Sequence, residues 1–178
     1  MSRLSAIHPA QAEGLAATLF AGITKAVGKV PNAYATVGTH SPESLAAILA
    51  LDQALGKTSL SRSEVETIKL AVSAHAGCDY CVAAHSLMGK MAGLAPDALR
   101  QIRTGGDTGQ DKLDALLHYV RTLVSTQGTV PAADVQAVQA AGYSERQLIE
   151  IALAIAAITF TNLVNRVNDT VIDFPAVQ

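Results

Sequence analysis

The stretch "SLSRSEVETIKLAVSAHAGCDYCVAAHSLMGKMAG", residues 59–93, decides how this chain folds. Ser61 with Glu64, or Ser63 with Glu66, fits a capping box that opens a helix. Gly77 fits the C-terminal stop of that helix. A further helix runs from the cysteines to about Gly93. The unit is therefore helix, glycine break, helix.

The same grammar extends outward. "PAQAEGLAATLFAGITKAVG" (9–28) sets Leu15, Leu19, Ile23 and Val27 on one helical stripe. "VPNAYATVGTHSP" (30–42) supplies turn residues, and Ser41-Pro42 opens a helix stopped by Gly56. Pro96 begins a short helix that ends at Gly105-Gly106. Residues 110–128 carry Leu113, Leu116, Leu117, Val120 and Leu123 on one face. A helix follows Pro131, and a long one spans Ser144 to Asn168. Residues 63–74 echo 144–157 in cap and apolar spacing. No stretch alternates as a strand does. The expected fold is all-α, a single domain over residues 1–178 built of packed helical hairpins, with its core signature at 61–93.

Composition agrees. Hydrophobic residues make up 49% of the 178 and charged ones 16%, which excludes disorder. Aromatics are 4% with no Trp, favouring close-packed helices and offering no platform for stacked bases. A net charge of -2 gives no field for nucleic acid or an acidic membrane. The N-terminus lacks a signal-peptide pattern, and the longest apolar run, "IALAIAAITF" (151–160), is too short to span a bilayer. A cytoplasmic protein with no membrane partner is expected. In that compartment a close cysteine pair is catalytic or metal-binding more often than structural.

Cys78, Cys81 and His85 are spaced i, i+3, i+7, which puts them on one helical face. Cα atoms three apart in a helix lie roughly 5 Å apart, inside the disulfide range. If Gly77 ends one helix, the thiols open the next, where free N–H groups favour thiolate. Asp79 works against this. His85 can take a proton from Cys81, and Glu66, one helix upstream, can relay it if the two helices fold back together. Glu66 equally fits the Ser63 capping box. Two small buried thiols without chemistry would be the plainer reading. A zinc site from His75, Cys78, Cys81 and His85 would spread its ligands over about 15 Å of helix, too far for one tetrahedron.

Glu66, eleven residues, Cys78-x-x-Cys81, three residues and His85 resemble the signature of the alkylhydroperoxidase D-like (AhpD-like) proteins of the carboxymuconolactone decarboxylase superfamily. "FTNLVNRVNDTVIDFP" (160–175) is similar to the peroxidase-related members. The resemblance implies an all-α fold of helical repeats, assembly as a homo-trimer or hexamer, and a cofactor-free thiol peroxidase without metal. It implies Cys81 as the peroxidatic thiol, Cys78 as the resolving thiol, and His85 and Glu66 as the proton relay. The partners implied are a hydroperoxide and an external dithiol, thioredoxin-like or lipoyl reductant. Tyr80 stands where the best-known peroxidases of the family have a histidine, which removes one proton donor. A redox-sensing or disulfide-exchange protein with little peroxidase activity is the alternative. The decarboxylase branch usually lacks the cysteine pair, so lactone decarboxylation is not expected. Asn162, Asn165, Arg166 and Asn168 read as a polar end of the last helix.

Overall fold

A computed structural model describes residues 2–177. Among them lie a 3-10 turn (Pro9–Gln11) and nine α-helices. These are α1 (Gly14–Val27), α2 (Asn32–His40), α3 (Pro42–Leu55), α4 (Arg62–His75) and α5 (Asp79–Met91), then α6 (Pro96–Thr104), α7 (Asp111–Ser125), α8 (Ala132–Ala140) and α9 (Glu145–Asn168). No strand occurs among the described residues. The all-α expectation holds, and most boundaries fall within a residue or two of those read from caps and glycines.

α4 is the central post. Its residues from Val65 to Ser73, apart from Lys69, are buried, and it packs against α5, α6, α7 and α9. Full burial of a side chain such as Ile68, Leu70 or Ile151 stabilises by about 1.5–3 kcal/mol. Both α4 and α9 begin with complete capping boxes, Ser61 with Glu64 and Ser144 with Gln147. These are the two segments whose echo the sequence shows, and they lie side by side. The box uses Glu64, not Glu66, which leaves the Glu66 carboxylate free for other work.

The turn after α4 is a Schellman closure. Gly77 takes φ 62°, its N–H bonds the Ala74 carbonyl at 3.1 Å, and the Cys78 N–H bonds the Ser73 carbonyl at 3.0 Å. Only glycine adopts that φ without penalty. Cys78 then becomes the N-cap of α5.

Two expectations need correction. Residues 32–40 form a helix, not a turn. Thr36, Gly38 and Thr39 are weak helix formers, but the segment buries Ala33, Ala35, Thr36, Val37 and Gly38, so packing outweighs propensity. In α1 the buried face is Ala16, Phe20 and Ile23, while Leu15 and Val27 are exposed. The apolar period allowed two faces, and the large Phe20 ring selects one.

α9 is long and apolar enough to cross a bilayer by length and composition alone. Its inner face buries Ile151, Ala154, Ala157 and Ile158 in the protein core, together with Asn162, Asn165 and Asn168.

Gly38 gives a direct test of the packing. A Cβ there would lie 2.5 Å from the Phe20 ring and 2.8 Å from Leu45. Gly38→Ala gains about 1 kcal/mol of helix propensity but overpacks the core at a cost of about 1–3 kcal/mol, so it is expected to destabilise. Gly22→Ala in α1, where a Cβ meets nothing within 4 Å, should stabilise by about 0.5–1 kcal/mol. Urea unfolding of both variants checks the opposite signs.

Candidate active site

Cys78 and Cys81 are both free and buried, and their sulfurs lie 2.9 Å apart. That is roughly 0.9 Å beyond a disulfide bond length. The i, i+3 spacing achieves this because Cys78 is the N-cap and Cys81 sits in the first turn of α5. Asn165 on α9 donates its side-chain N–H to the Cys81 sulfur at 3.3 Å. Asn162, one turn earlier, donates to Ser73 Oγ at 3.2 Å.

Across the α4–α5 hairpin, His85 Nδ1 and Glu66 Oε2 lie 2.8 Å apart, and both side chains are almost fully buried. The folding back that the relay required is therefore present. The hydrogen bond of His85 goes to Glu66, and neither sulfur is bonded to the ring. His75 is exposed at the end of α4 and stands apart.

Cys81, His85 and Glu66 line one cavity of about 540 Å³, together with Asn165, Tyr34, Tyr80 and a largely aliphatic wall. Cys78 does not line it. Access therefore separates two thiols that are adjacent in space. Of the pair, Cys81 is the one a molecule in the cavity meets.

The two thiols titrate as one unit. A charge on Cys78 accepts the remaining S–H of Cys81, and this hydrogen bond lowers the Cys78 pKa to about 7 despite burial, with help from Asn162 and Arg166. The second proton is held hard. The hydrogen bond with Cys78, then burial, push the Cys81 thiol far above its ordinary value. Near pH 7 the pair is partly deprotonated with the charge on Cys78; the 2.9 Å contact is short enough for the Cys81 proton to pass to Cys78, and Asn165 donates to the Cys81 sulfur.

Tyr80 is no substitute for the missing histidine. Its hydroxyl donates to Asp173 Oδ1 at 2.8 Å and accepts from the Ala33 N–H at 3.2 Å. Burial raises its pKa well beyond the usual tyrosine range. Phe174 meets its ring edge-on and lines the cavity, while Lys29 pairs with Asp173 at 2.7 Å. Tyr80 thus pins the C-terminal segment to the cavity wall.

Residues 42–111 match the carboxymuconolactone decarboxylase family. They span α3 to the start of α7 and contain Glu66, both cysteines and His85. The match is confined to this segment, and the fold around it is AhpD-like. A comparison with curated proteins finds no match. Among solved structures, an uncharacterized peroxidase-related protein with an alkylhydroperoxidase AhpD core from Ralstonia eutropha superposes with TM-score 0.87. It is 23% identical, over 97% of this chain and 92% of that one. The debrominase Bmp8 gives TM-score 0.79 at 21% identity over 97% and 93% of the two chains. A cysteine-to-alanine variant of Bmp8 in complex with 2,3,4-tribromopyrrole gives 0.77 at 20% over 97% and 92%. At such identities the likeness is one of fold.

The matched segment holds the four expected residues, but α9 adds what the sequence reading missed. Asn162, Asn165 and Asn168 are buried, not a solvated helix end. Arg166 donates to the Gly77 carbonyl, which ties α9 to the turn before the thiols. Amides recurring at i, i+3, i+6 on the buried side of an apolar helix were the available signal.

The pH dependence follows from the lowered first pKa. Thiolate, read by ultraviolet absorbance or by alkylation rate, should appear as pH rises through about 7 and vanish below it. Arg166→Gln removes a charge that favours the anion and should move the midpoint upward, with Arg166→Lys restoring part of the shift.

Proposed function

We propose that the protein is a thiol-dependent hydroperoxidase that reduces organic hydroperoxides through Cys81 and Cys78. The observation that carries this reading is the position of Cys81 in the cavity wall, bonded to Cys78 and Asn165, with the His85–Glu66 pair on the same cavity.

The chemistry balances without a cofactor. Cys81 thiolate attacks the distal oxygen of the hydroperoxide, the O–O bond breaks, and the leaving alkoxide takes a proton delivered through His85 and Glu66. Cys81 becomes a sulfenic acid. The Cys78 thiol then displaces water to give the disulfide. An external dithiol, taking up the oxidation, returns both thiols. With Cys78 and Cys81 only 2% and 3% exposed, a slim dithiol arm such as a lipoyl group reaches Cys81 through the cavity more readily than the broad face of a thioredoxin-like protein.

A cavity of about 540 Å³ is of the size that holds small organic ligands and far larger than hydrogen peroxide requires. The same apolar cavity favours one second reading. Two of the similar structures are of a debrominase, and reductive removal of a ring halogen as halide would draw its two electrons from the same thiol pair, again leaving a disulfide. A redox-exchange role without substrate turnover remains the third outcome of the assay.

α9 presents Ile149, Leu163 and Val167 to solvent at 63–74% exposure. This apolar face is read as the contact with a second copy of the chain in a homo-oligomer.

Consumption of an aryl or alkyl hydroperoxide with a dithiol reductant tests the proposal. Cys81→Ser should abolish turnover. Cys78→Ser should complete one round and leave a trappable sulfenic acid. Glu66→Gln should slow turnover by about 10²–10⁴-fold, the usual contribution of a positioned acid–base pair. Full activity in Cys81→Ser, or disulfide formation without turnover, sinks the reading. Release of bromide from a bromopyrrole, with no hydroperoxide consumed, would favour the second.

A further inference from the structure

The cavity wall carries a second polar cluster that the thiol chemistry leaves unused. Lys69 Nζ lies 2.7 Å from Asp52 Oδ1, and Tyr34 donates its phenol proton to Asp52 Oδ2 at 3.0 Å. The three residues come from α4, α3 and α2, and all line the cavity that contains Cys81 and His85. The Lys69 side chain is only 12% exposed. Its ammonium has three hydrogens. Asp52 takes one, and no described residue accepts the other two. Taking an ion pair out of water is costly unless the remaining hydrogens and lone pairs are also matched. Here Asp52 is 32% exposed and keeps contact with water, while the more deeply buried Lys69 lines the cavity.

Arg62 and Glu66 also line this wall. Arg62 precedes Lys69 by seven residues, which places both on one face of α4. It lines the same cavity and makes no ion pair among the described residues. Glu66, between them on that face, is occupied by His85. Lys69 offsets Asp52, and the exposed Arg62 offsets Glu66, so what this end of the cavity offers an anion is the open hydrogens of Lys69. The rest of the wall, including Ile48, Leu49, Leu55 and Val65, is aliphatic.

We propose that Tyr34, Asp52 and Lys69 form a head-group subsite that takes the carboxylate of an apolar carboxylic acid. The carboxylate accepts the two open ammonium hydrogens of Lys69, and the hydrocarbon lies along the aliphatic wall. This rests on the hydroperoxidase reading only for the reacting end: the substrate would be an organic hydroperoxide that is also a carboxylic acid. Lys69 is in this respect a specificity residue and does not touch the reacting atoms.

Binding can be measured without thiol chemistry. Calorimetric titration of the reduced protein with decanoate and with methyl decanoate compares charged and neutral heads on one chain. The acid should bind at least about tenfold more tightly, as expected for a charge-assisted pair. Lys69→Met should erase that preference and leave ester binding unchanged. Asp52→Asn keeps an acceptor for Lys69 and removes the competing charge, so it should tighten decanoate. A purely structural cluster would make both variants weaken both ligands alike, and that result would overturn the proposal. Equal binding of acid and ester by the unmodified protein would overturn it as well. If Lys69→Met fails to fold, the unmodified protein and Asp52→Asn decide the matter. Neither ligand oxidises a thiol, so the outcome is independent of whether the protein reduces hydroperoxides.

Discussion

Two packed helices joined by a few residues need a reversal that most L-residues cannot make. Here the reversal is the left-handed Gly77, closed by hydrogen bonds to Ala74 and Ser73 and covered by Arg166. Everything chemical depends on it. It ends α4, starts α5 at Cys78, and turns α5 back so that His85 meets Glu66. A Cβ on Gly77 would also lie 2.7 Å from the Arg166 guanidinium, so the position is constrained by space as well as by φ.

The site separates electrostatics from access. Cys78, at the start of α5 and under the influence of Arg166 and Asn162, is where the first negative charge is most stable. Cys81 is where a molecule in the cavity can be met. The 2.9 Å contact between the sulfurs joins the two. In the proposed reaction, a proton passing along it would give a reactive Cys81 thiolate, and the same closeness would let Cys78 capture the oxidised Cys81. Thioredoxin-like logic, which favours the first cysteine of a Cys-x-x-Cys, would choose the sulfur away from the cavity.

The hairpin and its four polar residues were legible because caps, a glycine and fixed spacings act locally. Ser61 with Glu64, Gly77, and the i, i+3, i+7 set of Cys78, Cys81 and His85 each carry their meaning within about ten residues. What escaped depends on distant parts of the chain. α2 is held by burial against its neighbours, not by propensity. Asn165 reaches Cys81 from 84 positions away. Tyr80 showed in the sequence only as the loss of a histidine proton donor, and its bonds to Asp173 and Ala33 join parts of the chain far apart. Tyr34, Asp52 and Lys69 come from three helices, and no spacing links them. Glu66 stood between two roles in the sequence, and the capping box at Ser61, which uses Glu64, removes the capping one.

The central claim is that Cys81, not Cys78, is the sulfur that reacts first. It is tested most directly on the unmodified reduced chain, given less than one equivalent of an aryl hydroperoxide in the presence of a sulfenic-acid trap and quenched rapidly. Peptide mass spectrometry then locates the adduct. The account predicts the trap on Cys81, with the remaining molecules carrying the Cys78–Cys81 disulfide. An adduct confined to Cys78 would contradict it.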